Sequence, residues 1–173
     1  MKEDKILQRI AERYSGLYRL VSAEFTVPGG GVFFPFGEKP FGEVVNTELR
    51  VDEKQRALTG RFHAQLMNPG RNRFATQFPT PAEAVNAYAT YVAYCGVFTI
   101  EEKDVRVEND SAGFPVRIEG LQVNRVKASL NPNWVGGEQF RLFEIEGERL
   151  TLRVPPLKSE SGETSGVLVW KKA

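Results

Sequence analysis

The stretch "SLNPNWVGGEQFRLFEIEGERLTL", Ser129–Leu152, decides the fold. Its second half alternates apolar and polar residues, turns at Gly147 and alternates again. A period of two on both sides of a glycine turn is an antiparallel hairpin, not a helix. The first half is a corner. Asn131, Pro132 and Asn133 bend the chain, and Gly136 and Gly137 let it relaunch. Trp134 lies inside that corner and needs something to cover. Either it seals a barrel end, or it lines a mouth beside Gln139 and Arg141.

The same period runs on to either side. "GLYRLVSAEF", "EVVNTELRV", "LTGRFHAQLM", "YCGVFTIEE", "DVRVEND", "PVRIEGLQVNRVKASL", "RLTLRV" and "GVLVWKK" alternate or are β-rich, with Gly, Asn, Asp and Pro clusters between them. Strands in this number, with short sequential connections, predict an all-β fold. It is an up-and-down antiparallel β-barrel of about eight strands, with a two-sheet sandwich as the alternative. Two helices interrupt the pattern. Residues 4–15 carry Ile6, Leu7, Ile10 and Tyr14 at helical spacing, stop at Gly16, and should plug or pack on something larger. "TPAEAVNAYATYVAY" (80–94) opens with Thr80 as N-cap, Pro81 at the first helical position and Glu83 closing a capping box. Its expected apolar side is Val85, Tyr88 and Val92, with Tyr91 adjacent.

Two loops stand out. "VPGGGVFFPFGEKPFG" (27–42) has glycines and prolines that forbid regular structure, yet holds Phe33, Phe34, Phe36 and Phe41. It either packs its rings on the outside of the fold or flaps over a cavity mouth. "LKSESGETSG" (157–166) reads as a polar hairpin loop.

The bulk numbers narrow the function. A chain of 173 residues is one barrel domain, 1–173, large enough for a core without disulfides. Lys and Arg number 23 against 22 acids, so a net charge of +1 offers no reason for a nucleic-acid partner or membrane insertion. Cys95 is the single cysteine and His63 the single histidine, which leaves no Cys-based zinc site, no histidine triad and no metal to expect. With no signal-peptide pattern and no long apolar run, a soluble cytoplasmic protein is expected. There is no P-loop, no nucleophile elbow and no dinucleotide fingerprint, so no cofactor is expected.

The quoted segments, in this order, resemble the lipocalin-like domain family, small single-domain proteins related in shape to the lipocalins. The likeness runs through "SGLYRLVSAEF", "HAQLMNPGRNRFA", "TPAEAVNAYATYVAYCGVFTI", "NPNWVGGEQFRLFEIEGERLTL" and "GVLVWKK". The first strand departs from the family's Gly-x-Trp: it reads Gly16-Leu17-Tyr18. His63 stands where a small hydroxylated residue is more common. The resemblance implies a cup for a small, largely apolar molecule. Some fungal relatives appear in natural-product pathways, and other lipocalin-shaped proteins there are cofactor-free cyclases.

Two functions follow as expectations. The first is a cofactor-independent cyclase or isomerase, or a related lyase, acting on a polyketide- or terpenoid-like intermediate. The second is a non-catalytic carrier of a hydrophobic ligand. Gln139, Arg141, Phe143 and Ile145 share one strand face, and Phe140, Leu142 and Glu144 share the other. Both faces are mixed. If the first looks inward, an Arg141–Gln139 pair suits a carbonyl, enolate or carboxylate; otherwise the arginine closes the barrel end on an aromatic. If His63 and Gln65 look inward, His63 is the general base. Arg71 and Arg73 bind an anionic group or pair with acids and helix carbonyls. Tyr88, Tyr91, Tyr94, Trp134 and Phe143 offer aromatic walls for the substrate. Glu24, on the face of Tyr18, Leu20 and Ser22, would be a raised-pKa acid if inward. A homodimer is left open.

Overall fold

A computed structural model describes residues 6–159 and 162–173. Helix α1 (Ile6–Tyr14) leads into β1 (Gly16–Thr26), the short β2 (Val32–Phe33), β3 (Phe41–Asp52) and β4 (Ala57–Met67). Helix α2 (Pro81–Ala89) follows, then β5 (Tyr91–Glu101), β6 (Arg106–Asn109), β7 (Pro115–Ser129), β8 (Glu138–Glu146), β9 (Arg149–Ser159) and β10 (Gly162–Lys172). Every pairing is antiparallel. The strand order is β1-β3-β4-β5-β7-β8-β9-β10, and β10 pairs back onto β1. An eight-stranded barrel therefore closes, with β2 added to β1 and β6 added to β7. Closure removes the free edges that an open sheet would expose.

Alternation puts large rings inside one end, called the base here. Tyr14, Tyr18, Phe62, Phe98, Phe143 and Trp170 are all buried. Helix α1 plugs that end with Leu7, Ile10, Ala11 and Tyr14. The Tyr14 ring meets Phe98 and Phe143, each at 5.6 Å between centroids. A helix of nine residues is marginal alone. Here its C-terminal carbonyls are capped by three strands. The Asn46 amide donates to the Tyr14 carbonyl at 3.0 Å, the Tyr18 hydroxyl donates to the Arg13 carbonyl, and the Lys172 ammonium donates to the Arg13 and Glu12 carbonyls at 2.9 and 3.2 Å. A cation at a helix C-terminus is also favoured by the macrodipole. Gly16, at φ +102°, makes the turn from helix to strand that a side chain would strain.

Lys172 also lies 5.8 Å from the Tyr18 ring centroid. A cation closing the barrel on an aromatic is thus present, but the pair is Lys172 and Tyr18, not Arg141.

Three expectations change. The 157–166 stretch is mostly paired strand: Leu157, Lys158 and Ser159 face Thr164, Glu163 and Gly162, and only residues 160 and 161 fall outside the described residues. Helix α2 has its predicted capping box, with the Thr80 N–H donating to Glu83 Oε2 at 2.7 Å and Glu83 N–H to Thr80 Oγ1 at 3.3 Å. Yet it ends at Ala89 and buries none of its residues; Tyr91 and Val92 belong to β5. Val85 is 69% exposed and Tyr88 50%. Finally, the Gly/Pro-rich loop holds β2, which pairs Phe33 with Phe25 and sends Phe36 into the core. No helix among the described residues is long and apolar enough to cross a membrane.

Candidate functional site

The end of the barrel opposite α1 is its mouth, and β8 supplies its polar groups. Phe143 and Ile145 are buried in the core, so period two turns Gln139 and Arg141 to the same inward side. The register agrees: Gln139 stands opposite Asn124 and Arg141 opposite Gln122, and both partners are buried. The result is a block of four polar side chains on one inner wall. Arg141 donates from Nη2 to Gln139 Oε1 and from Nη1 to the Phe140 carbonyl, both at 2.8 Å. Gln122 Nε2 donates to Asn124 Oδ1 at 2.5 Å, and the Tyr14 hydroxyl donates to Gln122 Oε1. A chain of hydrogen bonds therefore runs from the plug helix up the wall toward the mouth. Burial, and then the nearby Tyr18, hold the Tyr14 phenol well above its ordinary pKa, so it stays a neutral donor.

Aromatic rings climb beside this wall. Phe62 in the core meets Tyr94 edge-on at 5.3 Å, and Tyr94 meets Trp134 edge-on at 5.4 Å. A short helical turn, Pro132–Trp134, folds the indole back over Tyr94, with the Asn131 side chain accepting from Asn133 N–H at 3.0 Å. Trp134, Tyr94, Gln139 and Arg141 are all half-buried. The corner that opened the sequence thus sets Trp134 against Tyr94, at the end of the barrel away from α1.

Other predicted residues are not there. In β4 the buried positions are Leu58, Gly60, Phe62, Ala64 and Leu66, so His63 and Gln65 point out of the barrel and are exposed. The condition for His63 to act as a base inside the cup is not met, because the apolar residues of β4 take the inner face. Tyr91 is also outside: its hydroxyl donates to Gln65 Oε1 at 3.2 Å, and the Arg71 guanidinium lies 5.3 Å from its ring. Arg71 spends a donor on the Ala87 carbonyl at 3.2 Å, near the end of α2. Arg73 and Tyr88 are exposed. Glu24 is outside for a different reason. A bulge between Leu20 and Ser22 shifts the phase of β1, so Ala23 turns inward and Glu24 outward. His63 does line a groove of about 530 Å³ on the outer wall, with Val45, Gln65, Ala93, Cys95 and Ala128 among its neighbours.

The model for the lipocalin-like domain matches residues 15–173. The chain belongs to the lipocalin-like domain family. Among curated proteins, this lipocalin-like chain is similar to the 4'-hydroxy-3'-methoxypropiophenone carrier protein ppsC of Aspergillus oryzae. The two are 33% identical over 113 residues, which is 63% of this chain and 94% of the relative. No solved structure matches the chain.

In this lipocalin-like barrel, Gln122, Asn124 and Tyr14 complete the inner wall, and spacing alone does not point to them. A signal for the first two exists in "PVRIEGLQVNRV". Period two puts Ile118, Gln122, Asn124 and Val126 on one face, and two amides among aliphatics on a core face are out of place unless they bond to something. Tyr14 reads as a core ring of a helix; only the plugged barrel shows where its hydroxyl goes.

Proposed function

We propose that this protein is a carrier. It holds a small, largely apolar, carbonyl-bearing aromatic molecule in the mouth half of its barrel. The observation that carries the reading is the composition of the inner wall. The inward strand face of β8 supplies donors that suit a carbonyl, on Arg141 and Gln139, and the same half of the barrel holds a ladder of rings formed by Phe62, Tyr94 and Trp134. The buried polar side chains among the described residues are Asn46, Gln122, Asn124 and Thr151, none of them an acid or an imidazole. Such a wall orients a ligand but has no group to take a proton from carbon. The name of the Aspergillus oryzae relative, a carrier of an aryl ketone, supports the same reading.

A catalytic version, a cofactor-independent cyclase or isomerase, would use Arg141 and Gln139 to stabilise an enolate. It lacks an inward-facing carboxylate or imidazole among the described residues, so the carrier reading is preferred.

Titration with 4'-hydroxy-3'-methoxypropiophenone, followed by tryptophan fluorescence and calorimetry, tests the proposal. Saturable binding is expected, weakened in Trp134→Ala and in Arg141→Gln, with the ketone recovered unchanged after long incubation. Absence of binding, or conversion of the ketone, would overturn it.

A further inference from the structure

We infer that the bound molecule is held as an anion, its charge on Arg141. The inference rests on the carrier reading and names the ligand's chemical class: an aromatic molecule whose acidic oxygen is conjugated with a carbonyl, such as an acyl phenol or the enol of a diketone.

Several arginines on the outer surface meet acids. Arg117 pairs with Glu144 and Glu119, Arg125 with Glu138, and Arg61 with Glu48, all on the outer surface. Arg141 does not. It shares the inner face of the barrel strands with Lys172, whose ammonium is taken up by the α1 carbonyls at the base, and among the described residues no carboxylate lies within ion-pair distance of Arg141. Its two hydrogen bonds go to neutral acceptors, Gln139 Oε1 and the Phe140 carbonyl. A guanidinium has five N–H donors, so the rest remain for a ligand. The groups facing it from β7 are the neutral amides Gln122 and Asn124. Among the described residues, the titratable group bonded to these amides is the Tyr14 phenol from α1, kept neutral by burial.

A cation half withdrawn from water and lacking a counter-charge is poorly solvated. An oxyanion arriving from solution relieves that deficit through charge-assisted hydrogen bonds, while a neutral ether or ketone relieves less of it. The site therefore selects the ionised form, and the ligand's proton passes to solvent on binding. Arginine keeps its charge throughout the neutral range, so the pH dependence belongs to the ligand.

The test uses 4'-hydroxy-3'-methoxyacetophenone, whose phenolate absorbs at longer wavelength than its phenol, and 3',4'-dimethoxyacetophenone, which cannot ionise. With excess protein, the phenolate band of the hydroxy ketone is expected to appear about one pH unit or more below its position in buffer, equivalent to about tenfold tighter binding of the anion. Arg141→Lys should keep part of that shift and Arg141→Gln should lose it. If Arg141→Gln does not fold, the wild-type spectrum decides alone. Binding without a shift overturns the inference and leaves the carrier reading standing, as does a shift that survives in folded Arg141→Gln. If neither ketone binds, both fall.

Discussion

The base and the mouth of this barrel are built from the same alternating strands, yet they differ in what their inner faces hold. At the base, Tyr14, Phe98, Phe143 and Trp170 are buried, and the exposed carbonyls of α1 are capped by Tyr18, Asn46 and Lys172. At the mouth, Tyr94, Trp134, Gln139 and Arg141 are half-buried, and a guanidinium stands without an acid. The base is packed, although Arg13 Nη1 and Trp170 Nε1 are buried there without a hydrogen-bond partner. The mouth keeps its polar donors half open to solvent. The contrast separates a packed end from a half-open one.

The largest effect is expected at the base. Phe98→Ala removes a ring packed under Tyr14 and over Gly60, and should cost about 3–5 kcal/mol of stability in urea unfolding. A cost near zero would mean that the base is not the packed end.

Alkali should also attack the base. Burial pushes the Tyr18 phenol up to about 12 from 10.0, and holds Tyr14 well above its ordinary value too. A phenol whose folded pKa is raised contributes stability that is whole below its unfolded pKa and is lost as pH rises through the folded value. Urea midpoints should therefore fall between pH 10 and 12, and Tyr14→Phe should flatten the decline. A flat profile in the wild type would contradict the buried phenols.

Trp134→Ala tests the mouth. It removes the top of the ring ladder, so the cost in stability should be only about 1 kcal/mol. Affinity for an aryl ketone should fall much further in proportion, as read by calorimetry. Equal losses at mouth and base would erase the distinction between the two ends.

The smallest effect is expected for His63→Ala. An exposed side chain outside the barrel should move stability by no more than about 0.5 kcal/mol and leave ketone binding unchanged. A clear loss of binding would shift attention from the inner wall to the outer groove.

The alternation in Ser129–Leu152, the turn at Gly147 and the capping box at Thr80 were legible because each is a local rule, acting within a few residues. The same rules made Gln139, Arg141 and Phe143 sharers of one face. They could not say which face looked in, since both mixed polar with apolar. Burial of Phe143 and Ile145 decided it. Glu24 shows the limit most plainly. Period two put it with Leu20, but one bulged residue reversed its side, and a bulge arises from pairing with β10 rather than from the sequence of β1 alone. Val85 and Tyr88 are a second case: helical spacing suggested a packed face, yet α2 buries none of its residues and both side chains are exposed.

By itself, the sequence determined a run of antiparallel strands, with a barrel favoured over a sandwich, and two helices of which the second is capped, because period, turns and caps are short-range constraints on the backbone. Tertiary structure alone decided which polar residues met. Gln122, Asn124, Gln139 and Arg141 come from two strands whose register is set by closure of the whole sheet. Tyr14 reaches them from a helix more than a hundred positions away, with |i−j| = 108 to Gln122. Contacts over such separations depend on how the strands stagger around the barrel, and no local pattern encodes that.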